Sequence, residues 1–520
     1  MKVMDVSLKR ARIEAEPAEV LVLTHHEGGA PLTEDVASVD RALKGLLREL
    51  MKSGEFEGKL NQTVLLHTQG KIPAKRVLLI GLGKKQDGGS DSVRQALGTA
   101  VKRIRQAGAQ SFTTAVQGRG LTRNSLAELT QAMVEGAILG NYHFSVYQSD
   151  RSSQPKDVTR MTIVSSKTDG VEQVKEGMRR GVASGEATVF VRDLCNHPSN
   201  VMTPARLVQE AKQVSKERGV RLTVLEQRKL EQLGMGALLG VARGSHEPPR
   251  FIVLEYQGNS RAQRNAKKGQ PVVLVGKTIT FDTGGISLKP AENMEQMKAD
   301  MTGGAEVLAT VRAAARLRLP LHLIGILPAT ENMPGGRAIK PGDILTTLSG
   351  RTVEVQNTDA EGRLILADGL AYATRYKPAA IIDIATLTGA CVVALGQFAI
   401  GMLGNNDSLK NQIKQAGLKS GERVWEMPLW DEYFEQLKSD VADMRNIGGR
   451  GGGMITAAVF LSKFVAEYPW VHLDIASTDW SERERAYISK GPTGIGTRLL
   501  IQYLIDHAAG NTRGAKAHAR

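Results

Sequence analysis

Cysteine is scarce in this chain: Cys195 and Cys391, far apart, are the only two in 520 residues. That argues against a disulfide-stapled scaffold and suits a reducing compartment, so a cytoplasmic location is expected. Long apolar runs are also missing. The longest, TGACVVALGQFAIGMLG at 388–404, is rich in glycine and broken by Gln397. It is expected to be a buried loop or helix, and no membrane span is indicated. The opening stretch MKVMDVSLKRARIEAEP mixes charges throughout and carries no apolar signal-peptide core. No HExxH occurs, which removes a helical histidine zinc site. Internal repeats and long low-complexity tracts are absent as well.

Two familiar nucleotide motifs are incomplete. Gly276-Lys277-Thr278 ends like a P-loop, but the glycine required five positions earlier is Pro271, and Val-Val-Leu-Val between them reads as strand. Gly81-Leu82-Gly83 lacks the third glycine of a dinucleotide fingerprint, because that position is Gln86.

What is present is ordinary for a globular protein: 41% apolar and 23% charged residues, in a chain long enough for two or more domains. The net charge of +14 is spread along the chain, so it permits DNA binding without specifying it. RVLLIGLG (76–83) followed by a helical pattern over 93–108 suggests a first α/β unit. A helical stretch over 171–200 ends at His197-Pro198-Ser199-Asn200 and can connect two domains. Beyond it, strand patterns at 251–256, 271–277, 321–327, 379–387 and 470–476 alternate with helical patterns such as 305–317 and 364–376. Their nearly continuous apolar character suits a mostly parallel sheet covered on both faces. The expected domains are 1–170, a connecting helix 171–200, a catalytic domain 201–510 and a basic tail 511–520.

In such sheets, sites gather at the carboxyl ends of strands, and acidic residues cluster there beside glycine-rich turns. Asp282 follows a strand, Lys289 lies seven residues on, and Asp300 sits in MEQMKADMTGG. QNTDAEGRL (356–364) then offers Asp359, Glu361 and Arg363, which share one side if the segment is extended. Converging carboxylates need cations between them, and oxygen-rich sets suit Mn²⁺, Mg²⁺ or Zn²⁺. Thr358 to Glu361 equally fits a capping box for the following helix. Alone, Asp300 reads as a solvated helix residue and Lys289 as a surface lysine. GGRGGGM (448–454) reads as a flexible loop or an anion-binding turn. Spacing leaves these alternatives open.

These stretches together resemble the leucyl (cytosol) aminopeptidase family of dinuclear metallopeptidases. NTDAEGRL (357–364) matches its signature, and FDTGGISLKP, MKADMTGGAEV, IIDIATLTGACVVALG and YISKGPTGIGTRLL follow the family order across roughly 190–503. The resemblance implies an α/β protein of two domains: a smaller N-terminal α/β domain and a larger C-terminal catalytic α/β domain with a mostly parallel central sheet. It implies Lys277, Asp282, Asp300, Asp359 and Glu361 as ligands of two divalent ions, Mn²⁺ or Zn²⁺, with Asp282 and Glu361 bridging and the Asp359 carbonyl also ligating. Lys289 and Arg363 take the catalytic positions, with bicarbonate on the arginine as general base. Met297, Asn357, Thr386, Leu387 and Gly389 are expected at the substrate.

The activity implied is release of N-terminal residues, leucine and other large apolar ones by preference, from peptides. A homohexamer is expected, as is a possible DNA-binding role, which some bacterial members have; the complete site argues against a catalytically dead subunit. Thr278 departs from the family's usual glycine.

Overall fold

The computed structural model describes residues 4–119, 121, 124–150, 156–165, 170–258 and 269–517, with 511–517 described by backbone alone. The chain divides into two compact units, Met1–Val189 and Phe190–Arg520, except that 419–421 and 482–490 belong to the first. No contiguous cut of the sequence reproduces that division. Within the first unit the late segment is tied in by side chains, since Tyr487 Oη donates to Asp91 at 2.8 Å and Lys102 Nζ donates to Arg485 O at 2.9 Å. The helix Val171–Asn196 starts in one unit and ends in the other.

The first unit is built on six strands: β1 (Asp5–Arg10), β2 (Leu21–His25), β3 (Thr63–His67), β4 (Arg76–Gly81), β5 (Ser111–Ala115) and β6 (Arg160–Ser165). Their order is β1-β6-β5-β2-β4-β3, parallel except for the edge strand β3. The chain passes from β2 to β4 on one side, then returns to place β5 on the other side of β2. Val22, Leu78, Val93, Leu97, Phe112 and Ile163 are buried together in its core. Each such side chain contributes roughly 1.5–3 kcal/mol by leaving water.

The second unit carries β7 (Val220–Glu226), β8 (Arg250–Gln257), β9 (Val272–Gly276), β10 (Thr278–Asp282), β11 (His322–Asn332), β12 (Ala380–Ala385), β13 (Ile400–Gly404), β14 (Val424–Glu426) and β15 (Trp470–Asp474). The order is β14-β13-β15-β12-β9-β11-β8-β7, with β10 pairing β11. The centre, β15-β12-β9-β11, is parallel. The strand over 251–256 departs from that pattern, because β8 runs antiparallel to both β11 and β7. Helices Thr302–Arg316 and Glu361–Ala373 both pack on β9 and β11. All five residues of β9 are buried, which explains its unbroken apolar sequence.

Two expectations need correction. The apolar run 388–404 is not uniformly buried: Ile400–Gly404 is a buried strand, but the short helix Gly389–Leu395 and its turn leave Val392, Val393 and Phe398 exposed. A basic tail from 511 is also not a separate element, since helix Thr497–Ala517 continues through it; 518–520 lie outside the described residues. Among the described residues no helix is long and apolar enough to cross a membrane.

Glu306, inside helix Thr302–Arg316, is fully buried, and neither carboxyl oxygen has a hydrogen-bond partner among the described residues. Burial, with Glu422 and Asp479 nearby, pushes its pKa well above the usual carboxylate range. A carboxyl that binds its proton more tightly when folded contributes stability that is lost as pH rises through the raised value. Glu306→Gln is therefore expected to match wild type in acid, below the ordinary carboxylate range, and to become more stable than wild type, by about 1 kcal/mol or more, as pH rises above that range. Thermal melts across pH test this, and parallel pH curves for the two proteins would contradict it.

Candidate metal centre

The acidic residues come together because the sheet ends there. Lys277 immediately follows β9, Asp282 closes β10, Asn332 closes β11 and Thr386 follows β12. Asp300 caps the 3₁₀ turn Met294–Ala299, and Glu361 opens the helix Glu361–Ala373. Lys277 lies close against that helix, where a Cβ on Gly362 would sit 2.6 Å from its Cε. Glycine is required at 362 for this approach.

Lys277 Nζ is 2.8 Å from Asp300 Oδ2 and 2.9 Å from Glu361 Oε1, and donates to Thr386 O at 2.8 Å. Lys289 Nζ is 2.8 Å from Asp282 Oδ2 and also pairs with Asp359 Oδ1. Thr386 Oγ1 donates to Asp300 Oδ1 at 2.7 Å. Asp282, Asp300 and Glu361 are buried, whereas Asp359 is partly exposed. Asp300 is thus no solvated helix residue, and Lys289 is no free surface lysine.

The charges perturb one another strongly. Burial alone would lower the Lys277 pKa, but Asp300, Glu361 and Asp282 outweigh it and hold the ammonium form far above the ordinary lysine range. Lys289 behaves alike under Asp282, Glu361 and Asp359. Burial and repulsion from Asp282 push the Asp359 and Glu361 carboxyls up. Burial brings Arg363 down to about 10.

The donor set fits a divalent cation. One oxygen from each of Asp282, Asp359 and Glu361 lies within 4.8 Å of the others. Glu361 Oε2 is buried without a hydrogen-bond partner among the described residues, so it keeps acceptor capacity that a cation could use. Hard carboxylate oxygens suit Mn²⁺ and Mg²⁺ and are accepted by Zn²⁺.

The route to this convergence differs from the expected one. Residues 359–363 are not extended: a turn precedes the helix, so Asp359 and Glu361 meet across that turn while Arg363 lies one step into the helix. There Arg363 is buried, its guanidinium donating to Asn446 O at 2.9 Å, with Nε left without a partner among the described residues. The capping box is also absent. Ala360 flanks the helix without a side-chain cap, and Thr358 Oγ1 instead donates to Gly284 O at 2.6 Å and accepts from Ser287 N at 2.8 Å. Asn357 Oδ1 accepts from Asp359 N at 2.8 Å. Met297 is tied to the cluster through its backbone, its carbonyl accepting from Asp300 N at 3.2 Å. Leu387 N donates to Asp474 at 3.2 Å, and Gly389 begins the short helix beyond.

Three supporting residues escaped the sequence reading. Asn332 Nδ2 donates to Asp282 Oδ1 at 2.8 Å and to Thr358 O at 3.1 Å, joining two ligand segments. Asn446 holds Asn357 O at 2.7 Å as well as Arg363. Asp474 accepts from Leu387 N and Thr388 Oγ1. Asn332 and Asp474 are polar residues ending apolar strands, the one signal that could have found them.

Clustered carboxylates and two lysines at the ends of a central parallel sheet define a metallohydrolase site. Family models match in both units: the cytosol aminopeptidase family catalytic domain over 189–501 and its N-terminal domain over 20–151. A "Probable cytosol aminopeptidase" of Geobacter sp. (strain M21) is 48% identical over 506 residues, 96% of this chain and 99% of that one. Its counterpart in Geobacter sulfurreducens is 46% identical, covering 96% and 99%. Among solved structures, a variant of tomato leucine aminopeptidase superposes with a TM-score of 0.85 at 31% identity, covering 97% of each chain. The bottromycin maturation enzyme BotP in complex with Mn gives 0.81 at 33%, covering 94% of this chain and 100% of that one. The chain belongs to the cytosol aminopeptidase family and is a metal-dependent aminopeptidase.

Thr278, expected from the resemblance to be a glycine, is fully buried. Its Oγ1 donates to Gly276 O at 2.8 Å and lies where a Cβ on Gly304 would sit, 2.1 Å away. Gly304 therefore makes the room that threonine needs, and the hydroxyl bonds backbone, not a carboxylate. Thr278→Gly is expected to cost about 2–3 kcal/mol of stability with metal affinity unchanged. Urea unfolding and metal titration check the two halves, and a tenfold change in affinity would contradict the second.

Proposed function

We propose that the chain releases leucine and other large apolar residues from peptide N-termini, using two divalent ions, Mn²⁺ or Zn²⁺, held by Lys277, Asp282, Asp300, Asp359 and Glu361. The observation that carries this is the buried, unpartnered Glu361 Oε2 inside the converging trio Asp282, Asp359 and Glu361. In this reading Asp282 and Glu361 would be shared by the two ions, and the Asp359 carbonyl would add a further ligand. Manganese is favoured by the complex formed by BotP, a relative of similar fold. Bound there, the ions supply a water of lowered pKa and polarise the scissile carbonyl.

The chain's own groups do the rest. Lys289 keeps its proton, because the surrounding carboxylates raise its pKa, and offers an ammonium to charge developing on the carbonyl oxygen. Arg363 is fixed by Asn446 O and its Nε has no partner among the described residues, which suits it to hold a planar bicarbonate as general base. Lys277 must give up its proton to ligate a metal, so metal affinity rises with pH. Met297, Asn357, Thr386, Leu387 and Gly389 line the substrate's place. The family's name supports a cytoplasmic location, and a homohexamer acting on peptides completes the reading.

Hydrolysis of a leucyl chromogenic amide is expected to disappear on thorough chelation and return with Mn²⁺ or Zn²⁺. Glu361→Gln is expected to lose about 100-fold or more. Activity indifferent to chelation would overturn the mechanism. The net charge of +14 allows a second reading, salt-dependent association with duplex DNA. A gel shift retained by Asp359→Ala is the expected result under that reading, and no shift at low salt dismisses it.

A further inference from the structure

The amino-terminal unit contains a cavity of about 350 Å³, none of whose lining residues belongs to the metal centre. It lies at the carboxyl ends of β2 and β5, the neighbours between which the chain reverses its direction of strand addition. In open α/β sheets, ligands bind in the crevice at such a switch point. The volume is that of a small-molecule site.

Three observations describe what the crevice would take. The segment after β5 brings a cation to its wall, Arg119. The segment after β2 brings carboxylates, Glu34 and Asp35, which open the helix Glu34–Ala42 behind its cap Thr33. His25, the last residue of β2, is only 6% exposed and lines the cavity, yet its imidazole has no hydrogen-bond partner among the described residues. A mostly buried ring that opens onto a cavity and has no partner there among the described residues has donor and acceptor capacity to offer a ligand. Burial, and then His26, hold its pKa below the usual histidine value, so it is neutral near physiological pH and offers one donor and one acceptor. The Gln117 amide beside it is already committed, donating to Thr114 Oγ1 and Ala115 O and accepting from Thr24 Oγ1. That wall is thereby fixed.

We propose that this cavity binds a free α-amino acid as its zwitterion, the carboxylate on Arg119, the ammonium toward Glu34 and Asp35, and His25 hydrogen-bonded to it. Opposite charges on two segments lining one cavity suit a molecule that carries both. A phosphate ester would set its charge against the two carboxylates, and a nucleobase would find no Phe, Tyr or Trp among the described lining residues. The inference stands on this cavity alone. Where the chain acts as an aminopeptidase, the ligand is also its product, bound away from the site that released it.

Calorimetric titration of glycine, L-leucine and L-glutamine, one at a time, into full-length Glu361→Gln protein tests the proposal. At least one is expected to bind saturably, and Arg119→Gln and His25→Gln, each added to that protein, are each expected to weaken it about tenfold or more. Arg119→Gln is the arm that survives if the buried His25 variant does not fold. In the otherwise native chain, Arg119→Gln is expected to leave peptidase kcat/KM unchanged. The deaminated analogue of the bound amino acid is expected to bind at least about tenfold more weakly. No binding by any of the three, binding indifferent to Arg119→Gln, or equal binding of the deaminated acid or of inorganic phosphate would overturn the proposal. Heats of binding are read without turnover, so failure here is distinguishable from failure of the peptidase reading.

Discussion

Asp282, Asp300, Asp359 and Glu361 converge where the parallel strands of the second unit end, and much else in that unit depends on their having cations among them. Carboxylates taken out of water cost several kcal/mol each when unpaired, and more when they face one another. Lys277 and Lys289 are interleaved between them at 2.8–2.9 Å, one deep and one nearer the surface. Lys277 reaches its place only because Gly362 lets it lie flat on the helix that carries Glu361. Asn332 then fixes Asp282 to the segment before that helix. The lysines compensate most of the cluster but leave one Glu361 oxygen unused, and that oxygen separates a metal site from a buried salt-bridge network.

The two units apply one geometric rule to different ends. In both, parallel strands run to a common edge, and the segments leaving them carry the polar side chains. The second unit gathers more carboxylates than its two interleaved lysines pair off, which suits metal ions. The first brings Arg119, Glu34, Asp35 and His25 to the wall of one cavity, which suits a ligand of mixed charge.

Much of this was legible in the sequence, for identifiable reasons. Runs such as PVVLVGK and AAIIDIATL are apolar throughout because both faces of their strands are covered, so the parallel core and the polar residues at its ends could be read directly. Local spacing was less informative. Asp359, Glu361 and Arg363 read as an extended row or a capping box, yet a turn and a helix start intervene, because tertiary bonds from Thr358 to Gly284 and Ser287 outcompete the local cap. Asn446 was invisible, since nothing in its neighbourhood signals that its carbonyl holds Arg363. The exposed Val392, Val393 and Phe398 defeated a simple apolar-means-buried reading. The late segment 482–490 folds with the first unit through Tyr487 and Lys102, contacts far beyond any sequence window.

The proposed mechanism has Asp282 and Glu361 shared by two divalent ions. Anomalous diffraction at the manganese edge, from crystals of the full chain grown with Mn²⁺, addresses it most directly. Two peaks, both within bonding distance of Asp282 and Glu361 and one of them also beside Lys277, are the expected result. A single peak, or peaks that leave Glu361 unligated, would contradict the account.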